Sequence, residues 1–113
     1  MRSIELIGVP SSMGGFAPGQ EKAPQALRTA GFVETLRSAG FEVHDHGDSQ
    51  VRRWFPDRES PLAQHVEAVT EVALETAERV AGTEGIVVVL GGDCTIELGT
   101  LAGLQARIGR AHV

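Results

Sequence analysis

The feature that most constrains this chain is a run of five residues, Ile86-Val87-Val88-Val89-Leu90, apolar at every position and followed at once by Gly91-Gly92-Asp93-Cys94-Thr95. A strand with one face in water alternates apolar and polar residues. One with no polar position has both faces covered, as in the middle of a parallel sheet flanked by helices. The run is far short of the roughly 20 residues that cross a bilayer, so it reads as an interior strand and not as a membrane span. Any fold must therefore supply layers on both sides of it.

The remaining segments supply those layers. Residues 4–9, Ile4-Glu5-Leu6-Ile7-Gly8-Val9, are rich in β-branched and other apolar residues and stop at Pro10, which cannot donate to a sheet ladder. Residues 10–22 hold two Pro and three Gly, the composition of a long loop, and loops of this length in compact domains are often functional. Pro24 suits a first helical turn with Leu27 packed behind it, and Gly31 and Gly40 stand where helices ending at Ala30 and Ala39 need left-handed residues. Residues 41–46 alternate, with Phe41, Val43 and Asp45 on one face and Glu42, His44 and His46 on the other. Ser60-Pro61 reads as the cap of a long helix whose stripe is Leu62, Val66, Val69, Ala73, Ala77 and Val80 and whose stop is Gly82. A last helix follows Thr95, with Leu98, Leu101, Leu104 and Ile108 on a shared face.

This alternation predicts right-handed parallel crossovers and an α/β fold of three layers, αβα, represented by about three strands and their helices. A strand order of 2-1-3 leaves the all-apolar strand as a bare edge and an aggregation site. Ala111-His112-Val113 reads as the start of a fourth strand, so residues 1–113 are expected to be the N-terminal part of one domain cut short.

Charge narrows the partners. Ten Lys and Arg against 15 Asp and Glu, a net −5 without a basic run, argue against nucleic acid and against anionic membrane surfaces. Met1-Arg2-Ser3 leads straight into the first strand with no room for a leader, and a single Cys makes no internal disulfide, which places the chain in the cytoplasm.

Gly91-Gly92-Asp93-Cys94 carries the strongest chemical signal. It lies at the C-terminal end of a buried strand, where open α/β sheets bind ligands, and the start of the next helix favours a thiolate at Cys94. On local grounds a second reading stands beside it, in which Asp93 or Thr95 caps the helix and Cys94 is a small buried hydrophobe. His44 and His46 at i and i+2 could share a metal, but with no third ligand nearby they read as a solvated strand face. Trp54-Phe55 reads as a pocket lining, an oligomer contact or an apolar plug. His65, beside the stripe of the long helix, and His112 have no evident partners.

Four pieces in order, Ile7-Gly8-Val9-Pro10, then Gly19-Gln20-Glu21-Lys22-Ala23-Pro24 with Leu27-Arg28 and Gly31, then Val43 through Gly47-Asp48, then Leu90-Gly91-Gly92-Asp93, resemble the N-terminal third of the arginase/agmatinase/formimidoylglutamase family, the ureohydrolases. The resemblance implies a parallel sheet with helices on both sides and hydrolysis of a guanidino or amidino C–N bond in a small substrate. It also implies a two-manganese centre that activates a hydroxide, and members that form homo-oligomers. In the family a histidine follows Gly-Gly-Asp and ligates manganese. Here Cys94 holds that position, with Gly91, Gly92 and Asp93 as the loop of the metal site. Thiolate is soft and suits zinc better than manganese. The aspartate-rich motifs that complete the family's centre are absent from these 113 residues, so the chain by itself is expected to be inactive. The alternatives are a non-catalytic relative acting as a partner or regulatory module and, ranked last, Cys94 as a nucleophile.

Overall fold

A computed structural model describes residues 2–111. Among them lie three strands, β1 (Ser3–Val9), β2 (Glu42–Asp48) and β3 (Ile86–Gly91), and four α-helices, α1 (Ala23–Thr29), α2 (Phe32–Ser38), α3 (Val66–Ala81) and α4 (Ile96–Ala111). The sheet is parallel throughout in the order β2-β1-β3. Ile4 lies opposite Val43 on one side and opposite Ile86 on the other.

Two apolar layers hold the sheet. On one face Ile4, Leu6, Val43 and Leu90 bury against Val33, with Phe32, Leu36 and Phe41 packed around them. On the other, Ile7 and Val9 bury against Val72 and Val80 of α3 and Ile96 of α4. This is the expected three-layer αβα arrangement. Each fully buried Leu, Ile or Val contributes about 1.5–3 kcal/mol to it.

α1 and α2 are capped by Ala30 and Ala39, with Gly31 (φ 91°) and Gly40 (φ 97°) supplying the left-handed turns that follow. Pro24 is the buried residue of α1, whereas Leu27 is partly exposed and does not pack behind it.

Several expectations need correction. α3 does not begin at Pro61 but at Val66, and Leu62, assigned to its stripe, is fully exposed. Asp57 explains the delay, because its carboxylate accepts hydrogen bonds from the backbone N–H groups of Glu59, Ser60 and His65 and holds residues 57–65 in turns. His65 is thus not on the helix. It stands before it with φ 57°, its Nε2 2.6 Å from the Phe55 carbonyl oxygen. The buried stripe of α3 is Val72, Thr76 and Val80, rotated from the expected one.

In α4 the expected face holds only at Leu104. Leu98, Leu101 and Ile108 are exposed, and the helix packs through Ile96, Gly99, Gly103 and Leu104. A Cβ at Gly99 would lie 2.8 Å from Thr76 Cβ, and one at Gly103 would lie 2.6 Å from Val80 Cβ and 2.7 Å from the Ala77 carbonyl oxygen. The two glycines, one turn apart, let α4 settle on α3. Ala111 belongs to α4 and not to a fourth strand, while His112 and Val113 lie outside the described residues. Of β3, only Leu90 is buried, because the strand is an edge with nothing beyond it among the described residues.

Arg28 ties α1 to β2. Its guanidinium donates to Asp48 Oδ1 from Nη2 at 2.9 Å and from Nε at 3.2 Å, and to Asp45 Oδ2 from Nη1. Burial would raise the Asp45 carboxyl, but hydrogen bonds from Arg28 and from the Gly47 N–H hold it below its usual value. A depressed folded-state pKa contributes stability above the unfolded value near 3.9, and this is lost as pH falls through the folded value. Arg28→Ala is expected to cost about 1–2 kcal/mol at neutral pH, a partly exposed pair being worth less than a buried one. Urea melts at pH 7 and pH 3 check this, since the difference between variant and parent should shrink at the lower pH.

Candidate functional site

The site is built where β1 and β3 end side by side. Val9 pairs with Gly91, and beyond them the chain turns twice, into the loop of residues 10–22 and into the β3–α4 turn. Gly92 has φ 70°, and a Cβ there would meet the carbonyl oxygens of Val9 at 2.6 Å and Ser11 at 2.8 Å. No other residue fits this crossing of two backbones.

Asp93 is buried, and both of its carboxylate oxygens are occupied. Oδ2 accepts from the Gly14 N–H at 2.9 Å, and Oδ1 accepts from the Thr95 N–H at 2.8 Å and from the Thr95 hydroxyl. The Asp93 N–H donates to the Ser11 carbonyl oxygen at 3.0 Å. Cys94 points elsewhere. It is exposed, and it lines a crevice of about 480 Å³ together with Val87, Val89, Glu97, Thr100 and Leu104. The reading of Cys94 as a small buried hydrophobe therefore fails. That of Asp93 as a helix cap holds only in part, since one oxygen reaches a loop 79 residues away.

The crevice is apolar on its sheet side, carries Glu97 on the helix side, and has no Lys, Arg or His in its lining. Its volume falls in the range of small-molecule sites, and its charge suits a cationic group better than an anionic one.

The loop that follows β1 is anchored by buried polar residues. Ser12 is fully buried, its hydroxyl accepts from the Trp54 N–H at 2.8 Å, and its own N–H donates to the Arg52 carbonyl oxygen at 2.9 Å. Glu21, also buried, accepts from the Gly19 N–H at 2.7 Å. Burial would raise its carboxyl, yet bonds from Gly19 and Ser12 and the charge of Arg53 hold it below its usual value. Asp93, Ser12 and Glu21 thus fix this loop, a role the sequence reading did not give them. The glycine pair Gly14-Gly15 was the signal, because paired glycines in a loop mark a close approach.

The other candidates lie apart from the crevice. His44 Nε2 is 3.2 Å from Glu42, and His46 Nε2 is 2.9 Å from Glu5, both on the open face of β2. The Glu5 carboxyl lies below its usual value chiefly through the His46 hydrogen bond. Trp54 and Phe55 both meet His65 edge to face, at 6.3 and 4.5 Å between ring centres. Among the described residues no three His, Cys, Asp or Glu side chains are grouped to hold a metal, and no helix is long and apolar enough to cross a membrane.

Comparison with known proteins follows the same pieces. The family model described as Arginase family matches residues 2–113. Arginase-1 of Rattus norvegicus is 37% identical over 110 residues, which cover 95% of this chain and 34% of the relative. Arginase of Bacillus caldovelox is 33% identical over 119 residues, covering 100% of this chain and 40% of that protein. Among solved structures, the arginase of Bacillus cereus superposes with a TM-score of 0.76 at 33% identity, over 92% of this chain and 35% of its own. The arginase of Bacillus subtilis gives 0.74 at 30% identity, over 90% and 35%. The chain spans between a third and two fifths of the length of these relatives.

Proposed function

The chain belongs to the arginase family, and from that premise we propose that it is the N-terminal part of a single arginase-like domain, one that hydrolyses a guanidino or amidino C–N bond in the manner of an arginase, agmatinase or formimidoylglutamase. The observation that carries this reading is the crevice between β3 and α4, which reaches the turn at Cys94. Cys94 opens into it, Glu97 lies on its wall, and no basic side chain lines it, a surrounding that favours a guanidinium or amidinium group.

The family's two manganese ions supply an activated water when bound. The residues described here do not make up such a centre. Cys94 is the one side chain of the Gly-Gly-Asp-Cys run free to ligate, because the oxygens of Asp93 are spent on Gly14 and Thr95. We assign Cys94 to the position of the family's metal-binding histidine. A soft thiolate there favours zinc over manganese. One ligand cannot hold a metal against water, so the 113-residue chain alone is expected to show no turnover.

The test compares this chain with the full product of its gene, by metal analysis and by urea or ammonia release from arginine, agmatine and formimidoylglutamate. The full product is expected to bind metal and to turn over one of the three, whereas the 113-residue chain does neither. Cys94→Ser in the full product should lower metal content and activity at least tenfold, and Cys94→His should restore both with manganese. Activity that survives Cys94→Ser, or a full product inert with every metal, refutes the reading.

A further inference from the structure

We infer that the concavity between α1 and residues 51–53 is a binding site for a small apolar α-amino acid, held at its ammonium end by Glu21 and at its carboxylate end by Arg53. This concavity shares no lining residue with the crevice of Cys94, so it stands apart from the hydrolase reading.

The Glu21 side chain is 3% exposed, and a carboxylate buried that far is costly unless donors reach both of its oxygens. Oε1 accepts from the Gly19 N–H at 2.7 Å. Oε2 is buried as well and has no hydrogen-bond partner among the described residues. Arg53 Nη1 stands 3.9 Å from it, too far for a hydrogen bond, and the Arg53 side chain is 59% exposed and free to turn. Native structures seldom leave such an acceptor open. The residue that carries this one lines a concavity of about 690 Å³, of a size that takes small molecules.

The rest of the lining selects the ligand. Ala26 of α1 and Val51 give the concavity an apolar wall, and Val51 is 63% exposed, surface that an apolar group would cover. Lys22 and Arg53 set two cations beside the one carboxylate. A plain amine would meet that excess of positive charge, and a plain acid would meet the buried anion. A zwitterion suits both. Ordinary bond lengths put the ammonium nitrogen and the nearer carboxylate oxygen of an α-amino acid about 3 Å apart, a span that bridges two groups set as Oε2 and Nη1 are. A molecule whose charges lie at opposite ends of a long chain overshoots them. In the bound arrangement the ammonium donates to Oε2, the guanidinium donates to the carboxylate, and the side chain rests on Ala26 and Val51. Both polar contacts are charge-assisted, the stronger class of hydrogen bond.

The test is ligand-observed NMR with the 113-residue chain, reading saturation transfer to the S-methyl protons of L-methionine. Saturable transfer with a Kd in the millimolar range or tighter is expected. The decarboxylated 3-(methylthio)propylamine and the deaminated 4-(methylthio)butanoate each keep one end only, and each should bind at least tenfold more weakly. Glu21→Gln and Arg53→Ala should each weaken methionine at least tenfold. Ala26→Trp, which fills the concavity from an exposed position of α1, should abolish the transfer. Arg53 and Ala26 are both exposed, so their variants decide the matter if Glu21→Gln fails to fold. Transfer that does not saturate, an analogue that binds as well as methionine, or an affinity within threefold of the parent in Arg53→Ala and Ala26→Trp overturns the inference. No readout involves metal or turnover, so the hydrolase reading is tested separately.

Discussion

At tens of micromolar the chain is expected to sediment as associated species, and Ile86→Lys to lower the apparent association constant at least tenfold, about 1.4 kcal/mol. β3 is an edge with alternate backbone N–H and C=O groups unpaired, and nothing along residues 86–90 blunts it: no Lys, no Pro, no charge. Ile86 is 46% exposed, so a lysine there should disturb the edge without disturbing the core. Beside the strand, α4 turns Leu98, Leu101 and Ile108 outward, each more than half exposed. Of these, Ile108 lies beside Ile86 and Val87, so apolar helix and strand residues are exposed together at this edge, where apolar patches mark association. Analytical ultracentrifugation across a concentration series is the measurement. A monodisperse monomer with a cooperative melt throughout would refute the expectation.

The second large effect is expected inside the fold. Gly99→Leu should cost about 3 kcal/mol or more, because the new side chain must displace the Ala73 backbone and Thr76 of α3. Domains are stable by only about 5–15 kcal/mol, so the urea midpoint should fall steeply. Ala102→Leu, on the exposed side of the same helix, is the control and should stay within about 0.5 kcal/mol of the parent. Equal midpoints for the two variants would show that α4 does not rest on α3 through its glycines.

The strands were legible because their signals are local and strong, whereas their order, which places the apolar run at an edge, is set by contacts between distant segments. Pro10 ends β1, the alternation from Phe41 marks β2, and the apolar run marks β3. Glycines at 31 and 40 located the ends of the first helices for the same reason. The helix faces were misread where size was taken for burial. Leucine recurs on α4 at helical spacing, but the packing is decided by Gly99 and Gly103, whose missing side chains no hydrophobic pattern registers. The start of α3 was misread because Ser60-Pro61 has the chemistry of a cap, while Asp57, three residues earlier, takes the backbone donors first.

At the site, the turn after β3 was legible from Gly91-Gly92, whereas the sequence left open whether Cys94 is exposed or a small buried hydrophobe, and the structure places it in the open. The partners of Asp93 were not legible. A bond between residues 14 and 93 joins segments that only the sheet brings together, so nothing in either segment alone announces it.

The far flank of the sheet is finished differently. β2 carries Glu42, His44, Asp45, His46 and Asp48, and these are engaged with one another, with Glu5 or with Arg28. Charge of that density on a margin discourages a further strand. Two copies that meet through β3 would then turn only their ionic borders outward. Accretion by this route should close at a pair and give a discrete stoichiometry where two apolar margins would have given a fibre.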